Sequence, residues 1–269
     1  MRLQAPFPWF GGKSRIADVV WKRLGEPVNY VEPFFGSGAV LLARPRPGKT
    51  ETINDKDHFV ANFWRAVQRD PEAVAHHADW PVNEADLHAR HWWLLTEGAK
   101  RLRDIDGKPD LFDALVAGWW VWGACAWIGS GWCSGRGPWK WGAAGWSKDG
   151  EGNAGQGINR QLPHLGNAGQ GINRQLPHLG NAGRGIFITS WLTDLADRLR
   201  DVRVCAGDWS RVCGPSVTDR HGMTGVFLDP PYAGTAGRTD GLYATDCLSV
   251  ANDVRVWAIE QGSSKLMRI

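Results

Sequence analysis

Asp229, Pro230, Pro231 and Tyr232 follow an apolar run, Val226 to Leu228, that reads as a short buried strand. The prolines end it because they cannot donate to a ladder. A carboxylate at the carboxyl end of a strand sits where open α/β sheets place their ligands. The prolines fix φ and leave their carbonyls as acceptors without N–H groups of their own. Asp229 and the Pro230 carbonyl then form a rigid pair of acceptors beside the flat ring of Tyr232. Such a cluster suits an amino group on a planar heterocycle, which offers two N–H donors and one face for stacking. The same four residues fit a strand that ends in an ordinary Pro-Pro turn, so a second motif has to decide.

That motif lies near the start of the chain. Val28 to Val31 read as a strand, and Glu32-Pro33-Phe34-Phe35-Gly36-Ser37-Gly38 turns into an apolar helix start, Ala39 to Ala43. A strand, a Gly-x-Gly turn and a helix form the opening of a nucleotide fold, in which bare amides at the helix start favour anionic or polar ligand groups. The next strand, Glu51 to Asn54, ends at Asp55, 17 residues past Gly38. Such folds place an acid on the ribose hydroxyls about 20 residues on. Asp55 fits that role or a helix cap, for which Asp57 is an equally good candidate. Leu41 stands where a dinucleotide fingerprint would have its third glycine, which disfavours a dehydrogenase. A further strand, Val202 to Cys205, leads to Asp208, another acid just past a strand end.

The elements that must position these groups are legible as patterns. Residues 6–13 form an aromatic, Gly-containing loop with Trp9, Gly11 and Lys13, and Ser14 is a candidate cap for a helix on which Ile16, Val19, Val20 and Leu24 recur. Asp57 to Arg69 reads as a helix burying Phe59, Val60, Phe63, Trp64 and Val67. Residues 71–123 are helical in pattern. Eight of the 17 tryptophans then fall within Trp119–Trp146, among glycines that exclude one regular helix. This stretch suits either bases stacked on Trp139 and its neighbours, with Arg136 and Lys140 on phosphates, or a small Trp-rich core. Asn153–Gly166 recurs letter for letter at Asn167–Gly180, which reads as a duplication in a poorly ordered surface loop. Thr189 to Arg200 is an amphipathic helix. Asp246 to Glu260 is the last helix, followed by a polar tail from Gln261 to Ile269.

Composition bounds the function classes. The 269 residues carry a formal charge of +3, which says little about partners, but residues 134–186 alone hold six basic and two acidic side chains, a local +4. The five cysteines are odd in number and contain no CxxC, no secretory leader opens the chain, and no apolar run reaches a membrane span. A reduced, cytoplasmic, soluble protein without a metal is expected.

The four acids after strands, Glu32, Asp55, Asp208 and Asp229, resemble the α/β, Rossmann-like fold of class I S-adenosylmethionine-dependent methyltransferases. With Pro8-Trp9-Phe10-Gly11-Gly12-Lys13, Val31 to Gly38, Asn54-Asp55 and Leu228 to Tyr232 in that order, the chain resembles the Dam-type (D12 class) DNA adenine-N6 methyltransferases of phages, prophages and bacteria. The resemblance spans residue 6 to about residue 260. It implies S-adenosylmethionine as cofactor and double-stranded DNA as substrate, and a monomer is expected. Residues 1–70 and 187–269 would form the catalytic domain, with 71–186 inserted for target recognition. Trp9, Gly11 and Lys13 would flank the cofactor's methionine end, and Glu32, Pro33, Phe34, Gly36, Ser37 and Gly38 would form its turn. Asp55 would meet the ribose and Asp208 the cofactor's adenine, while Asp229, Pro230, Pro231 and Tyr232 would hold the target base. Family members continue into further strands that complete the sheet, and these are expected to be missing here.

Overall fold

The structure, a computed structural model, describes residues 3–9, 12–127, 132–133, 139–142, 145–148, 186–231 and 249–269. A five-stranded parallel sheet organises it, in the order β5-β2-β1-β6-β7: β1 (Asn29–Glu32), β2 (Thr50–Asp55), β5 (Val202–Ala206), β6 (Thr224–Val226) and β7 (Met267–Arg268). Chain order steps one way from β1 to β2 and β5, and the other way to β6 and β7. The strand order therefore reverses between β1 and β6, where the carboxyl ends of open α/β sheets leave a crevice for ligands.

Three expectations are corrected. The last strand before Asp229 is Thr224–Val226, two residues earlier than the apolar run suggests, and the Phe227 amide adds one further bond to the Val31 carbonyl. Ser14 does not cap the first helix, α1 (Ala17–Leu24), whose cap position is Ile16 without a side-chain bond. Its buried face is Ala17, Trp21 and Leu24, while Ile16 and Val19 are exposed, because the indole of Trp21 reaches inward to bond the Val40 carbonyl. The expected polar tail instead carries β7, which pairs Thr224 with Met267 and Gly225 with Arg268. Arg268 pins it by donating to the Leu24 carbonyl.

The helices share one apolar core with the sheet. Helix α3 (His58–Arg69) is capped by Asp57, whose side chain accepts from the Phe59 amide, and it buries Phe59, Val60, Phe63, Trp64 and Val67 as its sequence pattern requires. Asp70 caps α4 (Pro71–Ala78), with proline at the first helical position, where a missing N–H costs nothing. After α5 (Glu84–Trp93), a π turn leads into α6 (Ala99–Arg101). Helix α7 (Ala114–Ala126) has no charged side chain and is apolar on every face, so it has to be buried. It packs on α3, α4 and α5, with Trp120 and Trp122 inside, and α8 (Ile186–Leu199) covers α3 and α4 with Leu192, Leu195 and Leu199. Gly123 meets the Trp132 ring where any Cβ would collide with it.

The tryptophans described in the Trp-rich stretch therefore favour the core reading: Trp120, Trp122 and Trp127 are buried. Beyond them, β3 (Trp139–Gly142) and β4 (Gly145–Lys148) pair as an antiparallel hairpin. Arg136 and the tandem repeat at 153–180 lie outside the described residues, as do the side chains of Trp139 and Lys140.

At the amino end of the strands Glu51 ties three elements together. Its carboxylate accepts from Arg44 Nη1 at 2.7 Å and from Arg198 Nη1 and Nη2 at 2.6 and 3.0 Å, all nearly buried. Arg44 also lies over the rings of Trp21 and Tyr30.

Candidate active site

The residues following each strand meet in one cleft at the carboxyl edge of the sheet. Glu32 ends β1, Asp55 ends β2, Gly207 and Asp208 follow β5, and Phe227 and Asp229 follow β6. All of these line a cleft with about 950 Å³ of empty space that opens to solvent, together with Trp9, Lys13 and residues 33–37. Of the residues singled out in sequence, Pro230 and Gly38 do not line it. Gly11 and Tyr232 lie outside the described residues.

The Gly-x-Gly turn works differently from the sequence expectation. Gly36 and Gly38 both have positive φ, 50° and 72°, which their lack of Cβ permits. A Cβ on Gly36 would run into the Trp9 indole, so the turn and the first loop lock together. The helix that follows, α2 (Ala39–Leu42), is a single turn. The turn's amides are not bare: Gly36 N–H donates to Asp55 Oδ2 at 2.8 Å, and Gly38 N–H to the Phe35 carbonyl at 3.0 Å. Asp55 also accepts from the Asp57 amide at 2.9 Å. The capping role at α3 falls to Asp57, and Asp55 instead braces the turn from the wall of the cleft.

Burial makes Glu32, Asp55 and Asp229 hard to ionise. Glu32 is pushed up to about 8, mainly by burial and further by Asp229 and Asp55, against a 2.8 Å bond from the Tyr30 hydroxyl. Asp55 is pushed up to about 7, again first by burial and then by Asp57, while the backbone amides of Gly36, Asp57 and Lys56 pull the other way. Burial raises Asp229 as well, opposed by Lys13, whose Nζ lies 2.7 Å from Oδ2. Asp208 is held low by Ser210, whose hydroxyl and amide both donate to it, so it closes the 3₁₀ turn Trp209–Val212 as a cap while facing the cleft.

A carboxylate raised in the folded state contributes stability below its unfolded value and loses it as pH climbs through the folded one. For Glu32 that window runs from about 4.5 to about 8. The ligand-free protein is expected to lose stability across this range, at up to about 1.4 kcal/mol per pH unit for each proton released. Glu32→Gln should flatten the slope. Urea midpoints between pH 5 and 8 check this, and an unchanged slope in the variant would rule out Glu32 as its source.

Some site residues carry no motif. Trp209 stacks with Phe34 at 6.3 Å and 27°, and Trp257 meets its edge, forming an aromatic wall beside Asp208. Its only sequence signal is an aromatic directly after an acid at a strand end. Phe227, Lys56 and Val250 also line the cleft without a distinguishing pattern. Among the described residues no group of histidines, cysteines and carboxylates is arranged to hold a metal, and no helix is long and apolar enough to cross a membrane.

Residues 9–89 match the family model of the D12 class N6 adenine-specific DNA methyltransferases, a segment that runs from the Trp9 loop through the Gly-x-Gly turn and Asp55 into α5. None of the curated proteins matches the chain.

Proposed function

We propose that this D12-class DNA adenine-N6 methyltransferase takes its methyl group from S-adenosylmethionine held in the cleft and delivers it to adenine in double-stranded DNA. The observation that carries the reading is the convergence of Glu32, Asp55, Asp208 and Asp229, from four strand ends, on one cleft. The donor set fits the group. Acidic side chains suit a ligand bearing an ammonium and a sulfonium, and the Phe34–Trp209 wall suits a purine. Glu32 and the Trp9 loop hold the methionine end, Asp55 the ribose, and Asp208 with Trp209 the adenine. When bound, the cofactor supplies an electrophilic methyl and leaves as a neutral thioether.

The chain's own task is to make the target amine nucleophilic. The lone pair of an exocyclic amine is delocalised into its ring. Asp229 and the Pro230 carbonyl accept its two hydrogens and draw the nitrogen towards tetrahedral geometry. The nitrogen so prepared would accept the methyl that bound cofactor supplies, and its surplus proton would pass to the Asp229 carboxylate. Positioning and electrostatics do the catalysis, with no covalent enzyme intermediate. The target base leaves the helix at a cost of a few kcal/mol, and stacking on Tyr232, worth roughly 1–3 kcal/mol, offsets part of it. Residues 71–186 supply target recognition, with Arg136, Trp139 and Lys140 on the DNA, while 1–70 and 187–269 carry the chemistry. The enzyme acts as a cytoplasmic monomer.

Transfer of labelled methyl from S-adenosylmethionine to unmethylated duplex DNA, with the product nucleoside identified, tests the reading. N6-methyladenine is expected. N4-methylcytosine would reassign the acceptor, and cofactor binding without transfer would leave a non-catalytic binding protein.

A further inference from the structure

The ion pair between Lys13 and Asp229 joins the loop before α1 to the segment after β6, from opposite ends of the chain, inside the cleft. The family motifs place both residues near the ligands but say nothing of a bond between them. We infer that Lys13 is the positioning residue of the methyl acceptor: it holds the Asp229 carboxylate as an anion and fixes Oδ2, leaving Oδ1 for the target amine. This rests on the proposed role of Asp229 and adds the group that keeps Asp229 competent.

The physical need for such a group is visible around the site. Asp229 is largely buried, with Glu32 close enough for the two charges to repel, and Asp55 adds to the same negative field at Glu32. Asp57, Asp208 and Lys56 also line the cleft. Left to burial, Asp229 would tend to hold a proton. A protonated acid presents its own O–H and cannot draw an amine hydrogen as a carboxylate does. An ammonium at 2.7 Å supplies the opposing charge. An opposite charge within about 4–6 Å lowers a carboxyl by roughly one to three pH units.

The pair is also well anchored. The Gly12 amide bonds the Trp9 carbonyl at 3.0 Å, and the Ile16 amide bonds the Lys13 carbonyl at 3.0 Å, so Lys13 projects from a closed turn on both sides. Side-chain exposures of 17% and 27% leave the pair reachable from the open side of the cleft.

Lys13→Met, of similar length and without charge, separates this role from simple cofactor contact. Three results are expected in the variant. Turnover at neutral pH should fall by about 10- to 100-fold, the acid limb of kcat should move up by at least about one pH unit, and cofactor affinity by calorimetry should hold. Lys13→Arg should restore most of the rate and the original limb. Loss of cofactor affinity with the limb in place would make Lys13 a cofactor residue and overturn the inference. An unchanged rate and limb would show the ion pair to be incidental. Titration of carboxyl-labelled aspartates by ¹³C NMR needs no turnover, so it separates this inference from the reading it rests on. A wild type that methylates nothing would sink the parent reading, while an Asp229 titration unmoved by Lys13→Met would sink this one.

Discussion

Replacing Asp229 by alanine is expected to cut methyl transfer by at least about 10²- to 10³-fold, the loss seen when one preorganised polar group is removed from a developing charge. In the proposed mechanism two functions would disappear together: an acceptor for the amine hydrogen and the site that takes up the proton. Lys13 would in addition lose its 2.7 Å ion pair with the Asp229 carboxylate. Cofactor affinity should be largely kept, because Glu32, Asp55 and the Phe34–Trp209 wall belong to other strand ends. Asp229→Asn keeps an acceptor oxygen while removing the charge, so its rate divides geometry from charge. Single-turnover transfer with saturating cofactor is the measurement. Normal turnover in the alanine variant would remove Asp229 from the chemistry.

The largest effect on stability should come from Glu51, far from the reaction. Its carboxylate serves two nearly buried guanidiniums, Arg44 and Arg198, and also accepts from the Gly48 amide at 3.1 Å. Glu51→Ala would leave both cations without their anion, and breaking a buried pair in this way costs about 3–5 kcal/mol. A domain has only about 5–15 kcal/mol of stability in all, so the variant should be marginally folded. Urea unfolding with the slope compared between variants reads this directly. A loss below about 1 kcal/mol would show that water reaches the arginines and that the network is a surface feature.

Much of the active cleft was legible because its signals are local. Glu32, Asp55, Asp208 and Asp229 each follow a run of strand-forming residues, and the breakers Gly36, Gly38, Pro230 and Pro231 stand next to them. In a parallel α/β sheet, strand ends converge on one edge, so four acids recognised separately in sequence meet in one cleft. Helix α3 was equally plain, since its apolar residues recur at helical spacing along one stripe.

Where the sequence misled, the competing contact was distant in the chain. Ile16 and Val19 fit a helical stripe, yet the Trp21 indole, drawn to the Val40 carbonyl and the Tyr30 ring, sets which face of α1 turns inward. The segment after α9 (Val250–Gln261) reads as a polar tail. It forms β7 because β6 offers an open edge of amides and carbonyls, a partner that no local pattern announces.

The sequence alone thus determined the strand-and-turn units, the acids they carry and the class of chemistry those acids suit, since each depends on residues within a few positions of one another. Tertiary structure decided what the acids do. It gave the cap at α3 to Asp57 and the brace of the glycine turn to Asp55, set Trp209 against Phe34, and brought Lys13 to Asp229. Charge and burial act through space, so the ionisation of a carboxylate depends on neighbours that the folded sheet, and not the order of residues, places beside it.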